Sequence, residues 1–439
     1  MSPRITVIGT GYLGATHAAC MAELGFEVLG VDSDKAKVST LADGSVPFYE
    51  PGLESMLARH VGSGRLRFST SLAEAADFGD VHFICVGTPQ RSDSLAADMS
   101  HVDAAVTGLA EHLHRPALVV GKSTVPVGSA SRLLTLLQST APARTDVSLA
   151  WNPEFLREGH AIDDTLRPDR LVFGVHRSED EARLREVYAT ALGAGTPVVT
   201  TDFATAELVK VAANSFLATK ISFINAIAEV CEVVDADVVA LADAIGHDAR
   251  IGRSFLNAGL GFGGGCLPKD IRAFMARAGE IGASEALTFL REVDAINMRR
   301  RQRAVEITRE MVGGSVLGAH VAVLGVAFKP ESDDIRDSPA LNVAGQLQLQ
   351  GAHVRVYDPK AMPNARRLFP TLTYADSVEQ AARNADVVLH LTEWAEFAAL
   401  DPAELALIVA QPVVVDGRNV LDAARWRAAG WTYRGLGRP

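Results

Sequence analysis

The chain has 439 residues, more than one ordinary hydrophobic core organises, which predicts two or three domains. Apolar residues make up 48% of the sequence and charged residues 22%, a composition typical of a folded globular protein rather than a disordered one. The net charge of -11 argues against a protein that binds nucleic acid through bulk electrostatics, although it is compatible with a local basic pocket for a phosphorylated ligand.

The four cysteines, Cys20, Cys85, Cys231 and Cys266, are scattered and show neither CxxC nor Cys/His metal spacing. This pattern fits a reducing compartment and one functional thiol better than a disulfide framework, and it predicts no metal site. The sequence begins a strand almost at once with "RITVIG", without a signal-peptide pattern, and no apolar run is long enough to span a bilayer. We therefore expect a cytoplasmic protein without nucleic-acid or membrane partners.

The first part of the chain alternates short β-branched runs such as "ITVIG", "VHFICVGTP" and "ALVVG" with helical patterns, which predicts βαβ units and a parallel sheet. From about residue 202, a long stretch without glycine or proline carries apolar residues three and four apart, which predicts one long helix. Helical patterns continue to about residue 312, and a second strand-helix alternation follows. The sequence predicts an α/β fold with three domains, at residues 1–201, 202–312 and 313–439.

A dinucleotide site is predicted by "VIGTGYLG", which places Gly9, Gly11 and Gly14 in G-x-G-x-x-G spacing between a strand and a helix. The next strand ends at Asp32, whose carboxylate would accept hydrogen bonds from ribose hydroxyls and repel a 2′-phosphate. These features predict a Rossmann domain that prefers NAD to NADP, against the alternative of a tight turn with an incidental acid. The C-terminal part lacks such a glycine pattern, so Asp358 in "VYDP" does not indicate a second NAD site.

The stretch "GFGGGCLPKD" places Cys266 directly after three glycines. Such a run indicates that the backbone bends sharply or lets another group come close, and we interpret it as a flexible loop. Proline is tolerated at the first position of a helix, so Cys266 is predicted to stand at a helix start, where a thiolate is stabilised. The alternative is a buried structural cysteine.

Other polar residues stand where an α/β sheet binds its ligands, at or just after predicted strand ends: Thr88, Thr124, Glu154 and Glu158. On the predicted long helix, Glu207, Lys210 and Asn214 are three and four residues apart and share one face. Taken alone, Lys210 is more often a solvated helix lysine than a catalytic one.

The whole sequence resembles the nucleotide-sugar 6-dehydrogenases of the UDP-glucose/GDP-mannose dehydrogenase family in an ordered set of motifs: "GTGYLG", "PFYEPGL", "VGTP", "STVP", "NPEFLREG", "NSFLATKISFIN", "GFGGGCLPKD", "GVAFKPESDDIRDSP", "YDP" and "DGRN". The resemblance covers nearly the whole chain. It implies an N-terminal Rossmann domain, a central long-helix domain that forms the interface of a homodimer or higher homo-oligomer, and a C-terminal Rossmann-like domain that binds the sugar nucleotide.

The resemblance also implies three sets of site residues. The catalytic set has Cys266 as nucleophile together with Lys210, Asn214, Asp270, Glu154 and Thr124. The NAD-binding set is Gly9, Gly11, Tyr12, Leu13, Gly14, Asp32, Lys37, Thr88, Thr124, Glu158, Lys269 and Arg336. The set that binds the sugar nucleotide is Glu154, Phe155, Leu156, Arg157, Glu158, Lys210, Asn214, Phe255, Leu256, Asn257, Ala258, Gly259, Gly263 and Lys329.

The reaction implied by the resemblance is an NAD-dependent four-electron oxidation of UDP-glucose to UDP-glucuronate through a thiohemiacetal and a thioester on Cys266. Two departures leave the substrate open. Gly265 stands where the family usually has serine, and Leu267 stands where UDP-glucose enzymes commonly have phenylalanine. The alternatives are GDP-mannose, dTDP-glucose or a UDP-N-acetyl sugar.

Two other classes of protein fit the sequence less well. A hydroxyacid dehydrogenase also pairs a dinucleotide domain with a helical domain, but it needs no nucleophilic cysteine and no second α/β domain. A catalytically silent nucleotide-sugar sensor is expected to have lost a cysteine, lysine or aspartate of the catalytic set, and Cys266, Lys210 and Asp270 are all retained.

Overall fold

A computed structural model of the protein describes residues 2–439. Its strands are β1 (Ile5–Ile8), β2 (Val28–Val31), β3 (Leu66–Ser69), β4 (Val81–Ile84), β5 (Ala117–Gly121), β6 (Val147–Trp151), β7 (Leu171–Gly174), β8 (Val198–Thr201), β9 (His320–Leu324), β10 (His353–Tyr357), β11 (Thr373–Tyr374), β12 (Val387–His390), β13 (Val413–Asp416) and β14 (Thr432–Gly435).

The helices between and after these strands are α1 (Tyr12–Glu23), α2 (Lys35–Ala42), α3 (Leu53–Gly62), α4 (Leu72–Phe78), α5 (Ser100–Ala110), α6 (Ser129–Thr140), α7 (Ala161–Leu166), α8 (Ser178–Val187), α9 (Ala189–Gly193), α10 (Phe203–Val234), α11 (Val238–Gly246), α12 (Leu267–Glu280), α13 (Phe289–Met311), α14 (Pro339–Leu349), α15 (Met362–Leu368), α16 (Val378–Ala382), α17 (Ala395–Ala398), α18 (Pro402–Ala406) and α19 (Ala423–Ala428). Short 3-10 helices lie at Arg144–Asp146 and Ser284–Leu287.

The chain divides into two compact units, and each is described by itself. The first comprises the chain up to Ala213 together with Arg272–Gly282, and the second comprises Asn214–Ile271 together with Ala283–Pro439. Among residues 2–439, no helix is both long enough and apolar enough to cross a membrane.

The first unit contains an eight-stranded sheet among the described residues, in the order β3-β2-β1-β4-β5-β6-β7-β8. Alternate strand residues enter different apolar clusters. Ile5 and Val7 pack in the cluster that includes α1, whereas Ile8 packs in the cluster that includes α5 and α6. Burial on both faces explains why these strands read as continuous apolar runs.

One strand pairing differs from the predicted parallel sheet. β7 runs antiparallel to β6, through Trp151 and Gly174. Residues 152–170 connect the two strands and contain the six-residue helix α7, and β7 begins at the end of the sheet where β6 finishes. The α/β class and the N-terminal Rossmann domain predicted from the sequence are confirmed.

The second unit contains a six-stranded parallel sheet within residues 2–439, in the order β11-β10-β9-β12-β13-β14. Its apolar core is built from strand valines and leucines and from the inner faces of the helices around them. The predicted second strand-helix alternation is therefore confirmed. It starts at β9, after the 23-residue helix α13.

The predicted long helix is α10, which has 32 residues. Glu207, which shares a face with Lys210 in the sequence pattern, has a structural partner of its own. Its buried carboxylate accepts hydrogen bonds from the backbone N–H groups of Gly128 and Ala130, both at 2.7 Å. It therefore caps the start of α6, whose first N–H groups have no partner within the helix.

Helix α13 supports a glycine-rich segment of the second unit, residues 259–265. Asn297 donates a hydrogen bond to the carbonyl of Phe262 at 2.9 Å and accepts one from its N–H at 2.7 Å. Gly261 has a φ of +89°, and a Cβ atom there would lie 2.1 Å from the Asn297 side-chain oxygen. A side chain at Gly261 is therefore excluded both by backbone strain and by space.

We predict that Gly261→Ala destabilises the second unit far more than Gly252→Ala does. Gly252 also has a left-handed φ, +69°, but no atom lies within 4 Å of the position of its Cβ. Strain alone should lower the free energy of unfolding by roughly 1–2 kcal/mol at Gly252, and strain plus the clash by roughly 2–5 kcal/mol at Gly261. Calorimetric unfolding of both variants measures this, and equal losses would contradict it.

Candidate active site

The predicted dinucleotide turn has the close approaches that its glycines allow. Gly9 has a φ of +88°, and a Cβ at Gly14 would lie 1.8 Å from the Gly9 carbonyl oxygen. Gly11 stands before the first turn of α1 without a side-chain cap, and no atom lies within 4 Å of where its Cβ would be. The turn thus fits a pyrophosphate, which the backbone N–H groups and the helix dipole would stabilise.

Asp32 is fixed as a carboxylate just after β2. It accepts hydrogen bonds from the Thr10 N–H at 2.8 Å, from the Asp34 N–H at 3.0 Å and from the Lys37 ammonium at 2.9 Å. Burial opposes ionisation, but the hydrogen bonds from Asp34, Lys37 and Thr10 outweigh it and hold the Asp32 pKa below its usual range. An ionised acid here fits ribose hydroxyls and disfavours a 2′-phosphate.

Two predicted cofactor residues meet at the ends of neighbouring strands. The Thr88 hydroxyl, after β4, donates a hydrogen bond to the carbonyl of Thr124, after β5, at 2.7 Å. The Ser123 hydroxyl ties the same two loops together, through the carbonyl of Val86 at 2.7 Å. These contacts fix both loops at the carboxyl edge of the sheet, where α/β folds bind ligands.

Glu154 lies in the loop after β6 and forms an ion pair with Lys210 of α10, with 3.1 Å between the carboxylate oxygen and the ammonium nitrogen. The two side chains are only 12% and 6% exposed, so the pair is largely shielded from water. The other oxygen of Glu154 accepts a hydrogen bond from the Leu156 N–H at 2.8 Å. The sequence-predicted acid and lysine are therefore brought together within the first unit.

The rest of this loop, residues 155–158, is held by its own contacts. The Arg170 guanidinium lies over the Phe155 ring at 3.8 Å from the centroid. Arg157 makes two hydrogen bonds to the carboxylate of Asp164, at 2.9 and 2.6 Å. Glu158 is buried.

Lys122, which lies in "GKSTVP" just after β5, was not predicted as a site residue. Its buried ammonium donates hydrogen bonds to the Asn152 side-chain oxygen at 3.0 Å and to the Tyr188 hydroxyl at 3.3 Å. Burial lowers the pKa of Lys122 to about 8, although the nearby Cys85 and Glu154 oppose this shift. Lys122 thus fixes Asn152, two residues before Glu154, and adds positive potential at that acid.

In the second unit, Cys266 is exposed and directly precedes α12. Its carbonyl accepts the first helical hydrogen bond, from the Asp270 N–H at 2.9 Å. The Asp270 carboxylate is 1% exposed and accepts hydrogen bonds from the Asn214 amide at 2.7 Å and from the Lys269 ammonium at 2.6 Å. Three sequence-predicted site residues therefore form one contact chain at the start of the cysteine helix.

The glycines before Cys266 are tightly packed, in contrast to the flexible loop expected from the sequence. A Cβ at Gly263 would lie 2.4 Å from the Asp337 carbonyl oxygen, and one at Gly265 would lie 2.2 Å from the guanidinium carbon of Arg336. The glycines therefore allow other parts of the second unit to come close to the backbone. Gly265 leaves the space beside Cys266 to Arg336, which also pairs with Asp334 at 2.7 Å.

Arg418 and Asn419 of "DGRN" hold the same segment and were missed as site residues. The Arg418 guanidinium donates hydrogen bonds to the carbonyls of Gly261 at 3.1 Å and Phe328 at 3.0 Å. The Asn419 amide donates to the carbonyl of Ala258 at 3.1 Å. The quoted motif was a signal for these residues, but it gave no indication of their partners.

The remaining predicted substrate residues lie on loops of the second unit. Phe255 is exposed with a φ of +65°, whereas Leu256 and Ala258 are buried. Asn257 accepts a hydrogen bond from Arg253 at 2.7 Å. The ammonium of Lys329 lies 5.7 Å from the centroid of the Phe328 ring.

Comparisons with known protein families match three parts of the chain. The NAD binding domain of the UDP-glucose/GDP-mannose dehydrogenase family matches residues 3–192, its central domain residues 204–299, and its UDP binding domain residues 322–423. A UDP-glucose 6-dehydrogenase of Rhizobium meliloti (strain 1021) is 44% identical over 438 residues, which are 99% of this chain and 100% of that protein. The chain belongs to the UDP-glucose/GDP-mannose dehydrogenase family.

Solved structures of UDP-sugar dehydrogenases have the same fold. That of a UDP-glucose dehydrogenase from the hyperthermophilic archaeon Pyrobaculum islandicum is similar with a TM-score of 0.91 at 37% identity, over 100% of this chain and 98% of that one. A UDP-D-ManNAc dehydrogenase from Pyrococcus horikoshii is similar with a TM-score of 0.86 at 26% identity, over 99% of each chain. The resemblance stated from the motifs and the choice of NAD as cofactor are confirmed.

We predict that Lys122 makes the free energy of unfolding increase with pH in the alkaline range. Because its folded pKa of about 8 lies below the ordinary 10.5, the unfolded chain binds more protons between these pH values, and stability rises with pH there. The rise is up to about 1.4 kcal/mol per pH unit. Lys122→Met should lack it, whereas Lys35→Met, at an exposed lysine of α2, should retain it.

Urea unfolding between pH 7 and 10 measures this difference. The free energy of unfolding of the parent, minus that of Lys122→Met, should increase with pH. Parallel curves for the two proteins would show that Lys122 does not titrate in this range.

Proposed function

We propose that the chain oxidises UDP-glucose to UDP-glucuronate with NAD, using Cys266 as nucleophile. The observation that carries the proposal is an exposed cysteine at the start of α12, next to the buried Asp270, which Asn214 and Lys269 contact. Support for the substrate comes from the UDP binding domain of the family and from the 44% identity to a UDP-glucose 6-dehydrogenase over the full chain.

The proposed chemistry has two oxidations and a hydrolysis. The primary alcohol loses its hydroxyl proton and a hydride and becomes an aldehyde. The Cys266 thiolate adds to the aldehyde carbon, and the thiohemiacetal loses a second proton and hydride and becomes a thioester. Water then attacks the thioester, releases the acid and frees the thiolate. Two NAD molecules, bound one after the other, would each accept one hydride.

Residues of the chain would assist each stage. A thiol of ordinary pKa is only a few per cent ionised at neutral pH, and a helix start favours the thiolate. The Lys210 ammonium would stabilise oxyanions that form on the substrate. Glu154 would act as a base or hold the water, and Thr124 would help to position cofactor and substrate. Asn214 and Asp270 would complete the catalytic set.

The cofactor and substrate sets are proposed from the family motifs. NAD would be held by the glycine turn Gly9–Gly14, by Asp32 with Lys37, and by further polar residues: Thr88, Glu158, Lys269 and Arg336. The sugar nucleotide would be held by the loop 154–158, the segment 255–263 and Lys329. The ammonium and guanidinium groups of this set suit phosphates, and its carboxylates suit hydroxyl groups.

The identity of the sugar needs its own test, because Gly265 and Leu267 depart from the usual UDP-glucose pattern. The fold is also shared with a UDP-D-ManNAc dehydrogenase, at lower identity. Assays of NAD reduction with UDP-glucose, UDP-N-acetyl sugars, GDP-mannose and dTDP-glucose test the choice. UDP-glucose should have the highest kcat/KM, and a higher value for another sugar nucleotide would reassign the substrate.

We also propose a homodimer formed through α10. Phe216, Phe223 and Val230 follow one another at intervals of seven residues and are 66%, 51% and 57% exposed. Such a stripe faces one side of a helix, and monomers rarely leave a large apolar patch in water.

A reducing compartment, the cytoplasm, is proposed because among residues 2–439 none of the cysteines forms a disulfide and the reaction needs a thiolate.

We predict that Cys266→Ala abolishes acid formation while leaving the fold and NAD binding intact. Loss of the nucleophile should cost about 4–8 kcal/mol of barrier, at roughly 1.36 kcal/mol per tenfold in rate. Cys266→Ser should accumulate an acyl adduct that mass spectrometry detects, because an oxygen ester is less reactive than a thioester. Cys231→Ala, at a buried cysteine of α10, is the control and should retain turnover.

If Cys266→Ala still forms acid at a near-normal rate, the cysteine is structural and the thioester route is wrong.

We predict that the double variant Phe216→Glu/Phe223→Glu is monomeric, because charges replace the two aromatic rings of the stripe. Leu407→Glu is the matched control, since Leu407 is an exposed leucine (85%) outside α10. Light scattering after size-exclusion chromatography should give the dimer mass for the parent and the control. A monomeric parent, or an unchanged mass for the double variant, would rule out the α10 interface.

A further inference from the structure

The loop from residue 152 to 160 carries Glu154 and Glu158, yet it has no helix or strand of its own between β6 and α7. Its geometry therefore comes from hydrogen bonds and ion pairs, some within the loop and some with other parts of the first unit. The ion pair with Lys210 and the hydrogen bond from Leu156 hold Glu154. The far end of the loop, at Gly159 and Ala161, is held by a different group.

That group is Glu50 of "PFYEPGL", a motif that the proposed function leaves without a role. Its side chain is buried, with 4% of the residue exposed. One carboxylate oxygen accepts a hydrogen bond from the Gly159 N–H at 2.6 Å, and the other accepts one from the Ala161 N–H at 2.7 Å. Ala161 is the first residue of α7, whose first N–H groups have no acceptor within the helix, and Gly159 lies just before the N-cap residue His160.

A third donor to Glu50 comes from the dinucleotide turn. The hydroxyl of Tyr12, the first residue of α1, donates a hydrogen bond to the same oxygen that Gly159 contacts. The Gly159 N–H also lies 3.0 Å from the Tyr12 oxygen. Burial and the carboxylate of Glu50 raise the pKa of Tyr12 above its ordinary value, so the phenol keeps its proton and remains a donor.

These contacts form a continuous chain from the cofactor turn to the loop with the two acids. Hydrogen bonds to a buried carboxylate are stronger than those between neutral groups, and they have directions that fix the backbone. Glu50 lies 109 residues before Gly159 in the sequence, so the contact depends on the tertiary fold. Within the loop, Gly159 directly follows Glu158, and a shift of its N–H would move that acid.

We propose that Glu50 is a positioning residue for the reaction, which holds Glu158 in place for the cofactor through the backbone of Gly159 and Ala161 and is itself oriented by Tyr12. The inference rests on the proposed role of Glu158 in binding NAD. Glu50 acts through the loop and is not itself a cofactor contact. A solely structural carboxylate would affect unfolding but not the NAD affinity of the folded protein.

Glu50→Gln tests the inference, because glutamine has the same size but turns an amide toward one of the two N–H groups. Calorimetric titration of the full chain measures NAD affinity without turnover. We expect NAD affinity to fall about tenfold, consistent with the loss of one charge-assisted hydrogen bond. Circular dichroism and thermal unfolding verify that the variant is folded at the titration temperature.

A pair of double-variant cycles separates positioning from general damage. Glu50→Gln combined with Glu158→Gln should weaken NAD binding by less than about twofold beyond Glu158→Gln alone, because both changes remove the same contribution. Glu50→Gln combined with Asp32→Ala should multiply the two effects, since Asp32 belongs to a separate contact set after β2. Multiplicative effects in both cycles, or an unchanged NAD affinity of Glu50→Gln, would overturn the inference.

Tyr12→Phe provides the second variant in case Glu50→Gln does not fold. It removes one hydroxyl and keeps the ring that packs on Phe48, 5.0 Å between centroids. We expect a smaller loss of NAD affinity, about threefold, and the same non-multiplicative result with Glu158→Gln. Ser55→Ala removes a hydrogen bond to Gly52 in the same segment and should leave NAD affinity unchanged.

If Tyr12→Phe and Ser55→Ala have equal affinities, the inference fails. A parent chain that binds NAD but does not oxidise UDP-glucose would instead count against the proposed function.

Discussion

The segment from Gly259 to Gly265 has no room for side chains at Gly259, Gly261 and Gly263, and this constraint decides where Cys266 lies. A Cβ at Gly259 would be 2.5 Å from the carbonyl oxygen of Gly417, and one at Gly263 would be 2.4 Å from that of Asp337, whereas a Cβ at Gly265 would meet the end of the Arg336 side chain. Because Arg418 also donates to the carbonyl of Gly261, the segment is fixed from several sides. The cysteine that follows is thus presented at the start of α12 by a closely packed, hydrogen-bonded backbone.

Buried charged side chains elsewhere in the molecule also fix the backbone segments around them. Lys122, Glu50 and Asp270 are all shielded from water, and each has several hydrogen-bond partners in place of water molecules. A buried charge without such partners would be strongly destabilising. Apart from Asn214, which lies within α10, these partners lie in loops at strand ends or at helix starts. The interactions that stabilise the buried charges therefore also fix the segments that carry the proposed catalytic acids. Stability and preorganisation come from the same contacts.

Much of the fold was predictable, because its signals are local. The glycine turn with Asp32, the long glycine-free helix and the two strand-helix alternations each depend on residues close together in the sequence. The motif order was sufficient to indicate the family. The antiparallel pairing of β7 with β6 was not predicted, since the sequence of residues 152–170 does not specify at which end of the sheet the next strand begins.

The supporting residues of the site were less predictable, because their partners are remote. Glu50 and Gly159 are 109 residues apart, and Arg418 and Gly261 are 157 residues apart. Glu207 looked like a member of the Lys210 face but caps α6 instead. A helical spacing identifies which side chains share a face, but it does not identify what lies opposite that face. Close packing around Gly265 could likewise not be distinguished from flexibility.

The most direct test of the central claim is the number of NADH molecules formed for each UDP-glucose consumed. Oxidation of an alcohol to an acid removes four electrons, and each NAD accepts two as a hydride. NADH absorbance together with chromatographic quantification of the sugar nucleotide gives the ratio. We expect two NADH per UDP-glucose, with UDP-glucuronate as product. A ratio of one, with an aldehyde as product, would contradict it.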